Sequence, residues 1–325
     1  MRTDPNLKWL TIATVAIQLV SFYMLRDVTS FWQLFLMAYC FGGVLNVSLL
    51  MAIHEIMHNH AFGPSRPMAN KVLALIINLP IGVPIVGSIK KYHSLHHRYQ
   101  GDDILDIEMP SYLETKFFNT PVTKLLWMIF QPAFIHLRPI LSQPNYVLNP
   151  SSLEYFNLFI QLMFNYMVGV WCGWHVMIYM IGSSLLGTGL HPMSGHIISE
   201  HTVMFNERFD LFGNINKNEF QRDEYLIPET YSYYGPLNAL MYNEGYHVEH
   251  HDFPSIPGSL LPRVREIAPE FYNSLPSYKS WVYVIWKYIT DDRVGPYSRV
   301  KRPHRFGKHD QKTVDFINQI KSEFK

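Results

Sequence analysis

The 325-residue chain is long enough for about two ordinary domains, or for one membrane-embedded unit. Hydrophobic residues make up 48% and charged residues 16%, against about 25% charged in an ordinary soluble domain, and the formal net charge is +1. This balance excludes an overall charge that would draw nucleic acid, and the two cysteines, Cys40 and Cys172, exclude a disulfide framework or a CxxC pair.

Both cysteines lie in apolar stretches and are expected to be small buried hydrophobes. The first apolar run, Trp9 to Leu25, begins too late for a secretory signal and has no small-residue cleavage site after it, so it is expected to be a retained helix. A membrane helix needs roughly 20 apolar residues. Trp9 to Leu25 meets that length narrowly and Phe31 to Ile53 comfortably, with Arg26 and Asp27 in the turn between them. Val72 to Ile89 is interrupted by Pro80, Gly82, Pro84 and Gly87 and is expected to be partly buried or re-entrant rather than crossing. Leu125 to Leu137, broken by Pro132, is too short to span and is expected in the interface. Tyr155 to Leu190 is too long for one span. Cys172-Gly173 splits it between Trp171 and Trp174, residues that favour the membrane boundary, which predicts a second hairpin with its tip at WCGW.

No Lys or Arg occurs between Arg138 and Arg208, whereas residues 66–138 and 263–325 are rich in both. Basic loops stay cytosolic. The predicted fold is a single all-α integral membrane domain over 1–325. It has four transmembrane helices in two hairpins (9–25, 31–53, 155–171 and 174–190), both termini in the cytosol, and a cytosolic helical cap over 54–150 and 191–325.

This topology brings three histidine groups to one face. HEIMH holds His54 and His58, HSLHH holds His93, His96 and His97, and HVEHH holds His247, His250 and His251. Positions i, i+3 and i+4 share a helix face, so these eight imidazoles can converge. Charged, they would repel one another; neutral, they are metal ligands. Eight exceed what one tetrahedral ion accepts, so two ions are expected, and iron is among the metals imidazole suits. LHPMSGHIISEH adds His191, His196 and His201, spaced five apart and so unable to share one helix face. His196 is the preferred additional ligand and His201 the second choice. His60, His136, His175, His304 and His309 lack such company and are read as ordinary residues. Glu55 and Glu249 stand beside ligands and are candidates to orient them.

HEIMH also fits HExxH, the zinc peptidase motif with Glu55 as general base, but that site needs three ligands and leaves the other histidines without a role. A lipid receptor with a structural zinc, or a metal transporter, are readings from other classes. A transporter calls for ionisable residues in mid-membrane, and Tyr155 to Leu190 offers only His175. Two irons at a membrane face suit the attack of activated oxygen on an unactivated C–H bond of a lipid chain.

The stretches AIHEIMHN, NLPIGVP, KKYHSLHHRYQGD, GLHPMSGHIISEH, ETYSYYGPLN, GYHVEHHDFPSIPG and GPYSRVKR carry a resemblance over nearly the whole chain. The chain resembles the membrane fatty-acid desaturases with three histidine boxes and, more narrowly, the sphingolipid delta-4 (dihydroceramide) desaturases. The resemblance implies a diiron, O2-dependent oxidoreductase of the endoplasmic reticulum membrane that places a trans 4,5 double bond in the sphingoid base of dihydroceramide, giving ceramide. It gives the eight box histidines the iron-ligand role. Hydroxylation at carbon 4 is the competing outcome on the same ligands. Electrons would come from NAD(P)H through a reductase and cytochrome b5. His191-Pro192 is followed by Met193-Ser194, not by the Gly-Gly of a haem-binding HPGG, and there is no GxGxxG loop, so the donor is expected to be a separate protein. Tyr233, Tyr234 and Asn238 are candidate contacts to the polar ceramide head.

Four features depart from the family pattern. The chain opens at MRTDPNLKW, whereas members carry a few dozen residues before DPN, with a myristoylation signal. Val47 follows Asn46 where histidine is expected, and Val248 stands in the third box in place of asparagine. Asn206 to Pro228 lengthens a normally short connection and reads as a polar surface loop.

Overall fold

The computed structural model describes residues 3–102, 104–142, 150–204, 229–302 and 311–323. The lengthened connection at 206–228, His304 and His309 lie outside them. The described chain is mostly helical, with one two-residue parallel strand pair, β1 (Ser232–Tyr233) and β2 (Ser277–Tyr278).

Helices α1 (Leu7–Leu25) and α2 (Phe31–Met57) are long and apolar enough to cross a membrane. Helix α2 contains a π turn over Ala38–Gly42 and starts on Ser30, whose hydroxyl accepts from Gln33 N. Trp9, Val20, Tyr23, Met24, Phe31 and Trp32 remain exposed, a greasy surface that lipid would cover. Inside, Gln18 Nε2 donates to Asn46 Oδ1 at 3.0 Å, and Asn46 donates to Met180 O and Ser184 Oγ. Interhelical hydrogen bonds of this kind satisfy polar groups where water is absent. Val47 is fully buried in the same helix.

The interruption expected between Pro80 and Gly87 separates α3 (Pro67–Asn78) from α4 (Val86–Tyr99), and their axes differ by 112°. Gly82 takes φ 81°, which favours glycine. Asn78 fastens the bend, donating to Val83 O at 2.7 Å and accepting from Ile85 N at 2.9 Å. This bend aims the HSLHH helix.

A short helix, α5 (Tyr112–Phe117), starts with a Ser111/Glu114 capping box. Then α6 (Pro121–Ser142) continues past Pro132 and Pro139 as one helix, correcting the expected break at Pro132. An interior proline costs about 3 kcal/mol, and tertiary anchors on either side of Pro132 offset it. Buried Lys124 donates to Asp291 O and Val294 O, and Arg138 makes a two-pronged bond to Glu114, 2.9 Å from Nε and 2.6 Å from Nη2. The Glu114–Arg138 pair is 5% and 6% exposed. Breaking a buried pair costs about 3–5 kcal/mol. Glu114→Ala is therefore expected to lower the unfolding midpoint of the detergent-solubilised protein by several degrees, and Arg138→Met in the same chain to restore part of it. A double variant less stable than either single one would refute this account.

Helices α7 (Ser152–Trp171) and α8 (Trp174–Thr188) break at Cys172-Gly173, as the sequence predicts, and Gly173 holds φ 104°. At 15 residues α8 is shorter than the usual crossing length. A Cβ on Gly187 would sit 2.7 Å from Gly43 O, so α8 meets α2 nearly backbone to backbone. The cysteines depart from expectation: Cys40 is exposed and Cys172 half-buried. A small apolar thiol on a greasy helix surface has no need of the interior.

Short helices α9 (Gly195–Ser199), α10 (His247–Asp252), α11 (Leu261–Ile267) and α12 (Pro269–Tyr272) precede α13 (Trp281–Thr290) and α14 (Gln311–Glu323). The largest buried cluster joins Val47, Met51, Trp127 and Met128 to Tyr231, Tyr233, Trp281 and Tyr288, so it welds the apolar helices to the later polypeptide.

Candidate metal centre

Helix α2 ends at Met57 because His58 leaves helical geometry and Asn59 turns at φ 68°. This places His54 and His58 at the helix terminus. Helix α4, beyond the bend, contributes His93, His96 and His97, the segment after α9 contributes His201, and α10 contributes His247, His250 and His251. Two groups result. In each, one nitrogen per ring lies within 4.8 Å of the others: His54, His58, His93, His97 and His250 in the first; His96, His201, His247 and His251 in the second.

Within the first group, Nε2 of His93 lies 2.5 Å from that of His54 and 2.7 Å from that of His97. His58 Nε2 is 3.3 Å from His54 Nε2, and His250 Nε2 is 3.0 Å from His97 Nε2. In the second, His201 Nε2 is 2.9 Å from His96 Nε2 and 3.1 Å from His247 Nε2. Ligand nitrogens about 2.1 Å from a metal stand about 3 Å apart at right angles, which is this spacing. The Nε2 of His251 is buried with no hydrogen-bond partner. Burial first, and neighbouring imidazoles second, hold His201, His247, His250 and His251 well below the usual histidine range, so these rings are neutral donors at physiological pH. Both groups fit a metal ion.

The outer nitrogens face carboxylates. Asp106 Oδ1 accepts from His96 Nδ1 at 3.1 Å, while its other oxygen accepts from Gly101 N. Glu108 lies 3.8 Å from His93 Nδ1 and 3.6 Å from His96 Nδ1. Glu244 spans the two groups: Oε1 accepts from His247 Nδ1 at 3.1 Å, and Oε2 approaches His54 Nδ1 at 2.9 Å without hydrogen-bond alignment. Such carboxylates orient metal-binding rings. Sequence reasoning missed all three, although GDDILDIE follows HSLHH closely and NEGY directly precedes HVEHH.

The two glutamates that sequence reasoning did choose do other work. Glu55 Oε2 accepts from Gly258 N at 2.8 Å and lies 3.0 Å from His60 Nδ1. Glu249 accepts from Ser232 Oγ and Tyr234 OH, both at 2.7 Å. The preferred extra histidine also stands elsewhere: His196 Nδ1 donates to Met193 O at 2.6 Å and joins neither group, whereas His201 joins the second. His191 accepts from Met193 N.

A cavity of about 380 Å3 adjoins both groups, reaching His54, His93, His96 and His247 between walls of Leu50, Met51, Ile85, Ile89, Ile107 and Ile135. That volume and apolar lining suit a small-molecule or lipid chain. Tyr233, Tyr234 and Asn238 do not line it. Tyr233 stacks on Trp281 with centroids 3.9 Å apart, Arg265 covers the Tyr234 ring, and Asn238 braces the turn through Tyr233 O and Gly245 N.

The fatty acid desaturase family model matches residues 30–281. The chain belongs to the fatty acid desaturase family. This desaturase is 47% identical over 302 residues to the sphingolipid delta(4)-desaturase DES1 of Drosophila melanogaster, covering 93% of this chain and 87% of the relative. It is 46% identical over 308 residues to the human sphingolipid delta(4)-desaturase/C4-monooxygenase DES2, with 95% and 88% covered. To human sphingolipid delta(4)-desaturase DES1 it is 44% identical over 302 residues, with 93% and 86% covered. The histidine groups, the apolar cavity and the greasy helices are those of a membrane-bound lipid oxidoreductase.

Proposed function

We propose that this desaturase introduces a trans 4,5 double bond into the sphingoid base of dihydroceramide, giving ceramide. The observation that carries this reading is the convergence of nine imidazoles from separate stretches beside one apolar cavity, in a chain 44–47% identical to sphingolipid delta(4)-desaturases. His54, His58, His93, His97 and His250 would hold one iron, and His96, His201, His247 and His251 a second. Bound iron supplies O2 activation and cleavage of an unactivated C–H bond, chemistry no side chain provides. Asp106, Glu108 and Glu244 hold the ring orientations. Leu50, Met51, Ile85 and Ile89 guide the alkyl chain and keep water away from the reacting carbon. Electrons reach the site from NAD(P)H through a reductase and cytochrome b5.

Hydroxylation at carbon 4 is the second reading, favoured by the relative named desaturase/C4-monooxygenase. The same ligands serve both, and a small displacement of the substrate selects between them. The HExxH protease reading has less support. It asks Glu55 to be a free base, but that carboxylate holds Gly258 N and His60, and the two HEIMH histidines sit among three further rings.

In this reading α1, α2, α7 and α8 form four crossings in two hairpins of the endoplasmic reticulum membrane, with the termini and the histidine groups cytosolic. Exposed Trp171 and Trp174 at the α7–α8 tip and the Lys/Arg distribution support that orientation.

The test is expression of the full chain in cells lacking dihydroceramide desaturation but holding a working reductase and cytochrome b5. Ceramide and bound iron are expected with the intact chain, phytoceramide as the minor product, and neither sphingolipid with His97→Ala. Absence of both products from the intact chain sinks the proposal.

A further inference from the structure

Among the polar residues that line the cavity, Glu200, Arg299 and His196 belong to neither histidine group. Buried polar atoms in folded proteins are nearly always paired, and unpaired ones cluster where something binds. Glu200 Oε1 is buried with no hydrogen-bond partner, and its other oxygen lies 3.8 Å from His247 Nε2. Arg299 is 8% exposed; its Nη1 donates to Glu108 O at 2.7 Å, yet its Nε is buried and unpartnered. His196 spends its Nδ1 proton on Met193 O, which leaves Nε2 as an acceptor. Burial holds that ring down to about 4, so it is neutral. One buried donor and two acceptors thus face a cavity whose other walls are mostly apolar.

In a sphingoid base, the carbon beside the reacting one carries a hydroxyl, and the next bears the amide. A site that oxidises carbon 4 must hold these groups close to its metal-binding rings. Glu200 offers an unpaired acceptor, Oε1, while its Oε2 lies 3.8 Å from the His247 ring. We infer that Glu200, Arg299 and His196 form the subsite for the polar backbone of the substrate, with Glu200 accepting from the 3-hydroxyl and Arg299 Nε donating to the amide carbonyl. The inference rests on the dihydroceramide reading and assigns the polar contacts that Tyr233, Tyr234 and Asn238 do not supply. By fixing carbon 3, Glu200 sets which hydrogens of carbons 4 and 5 face the oxidising centre.

The test compares a short-chain dihydroceramide with its analogue lacking the 3-hydroxyl, in membranes holding the full iron-loaded enzyme and its electron donors. The unaltered enzyme is expected to prefer the hydroxylated substrate by about a hundredfold or more in kcat/KM, because an unmatched buried polar group penalises the deoxy analogue. Glu200→Leu is expected to keep its iron and lose most of that preference, and Glu200→Gln, which retains an acceptor, to keep an intermediate one. Should Glu200→Leu fail to accumulate, Glu200→Gln carries the comparison. Equal use of the two substrates by the unaltered enzyme overturns the inference. So does an undiminished preference in the variants, or loss of iron from Glu200→Gln, which would make Glu200 a metal ligand. An unaltered enzyme inactive on both substrates instead removes the functional reading itself.

Discussion

His201→Ala is expected to abolish desaturation, with product at least about a hundredfold lower, and to reduce bound iron, whereas His196→Ala keeps its iron. The two histidines lie five residues apart in one stretch, yet their rings do different things. His201 Nδ1 lies 3.1 Å from Glu229 O, which takes its proton and leaves Nε2 to face His96 and His247. His196 has its Nδ1 tied to Met193 O and stands outside both groups. The measurement is iron content of each purified variant beside its ceramide yield. Iron lost from His196→Ala and retained by His201→Ala would reverse the assignment.

The second large effect falls on Glu244. Removing a carboxylate that orients a metal-binding ring typically weakens metal binding 10- to 100-fold. Glu244 touches a ring of each group, His54 and His247, so Glu244→Ala is expected to loosen both metals together. Glu249→Gln supplies the contrast, since that carboxylate binds Ser232 and Tyr234 rather than a ring. Iron loss against a graded chelator distinguishes them: Glu244→Ala should release iron at far lower chelator concentration than Glu249→Gln or the unaltered enzyme. Equal resistance in all three would remove Glu244 from its orienting role.

Much of this molecule was legible in its residues because the signals are local. Apolar runs of crossing length reported α1 and α2. Gly173, between two tryptophans, reported the α7–α8 break, since the backbone there takes a φ that suits glycine. Prolines and glycines reported the bend before α4. The histidine spacings reported shared faces, because i, i+3 and i+4 meet on any helix. Where anchors come from afar, the reading failed. Pro132 looked like a helix end until Lys124 and Arg138 proved to be held by Asp291, Val294 and Glu114.

The sequence by itself determined the family, the apolar helices and the eight box histidines, each written in short-range spacing that survives any arrangement of the rest. Only the tertiary structure decided how those rings divide, that His201 rather than His196 completes the second group, and that Glu244, Glu200 and Arg299 face the site. The reason is directional. A residue's neighbours along the chain set which way a helix face points. Which carboxylate meets which ring depends on how α2, α4 and α10 converge, and that angle is set by packing between residues far apart in the chain.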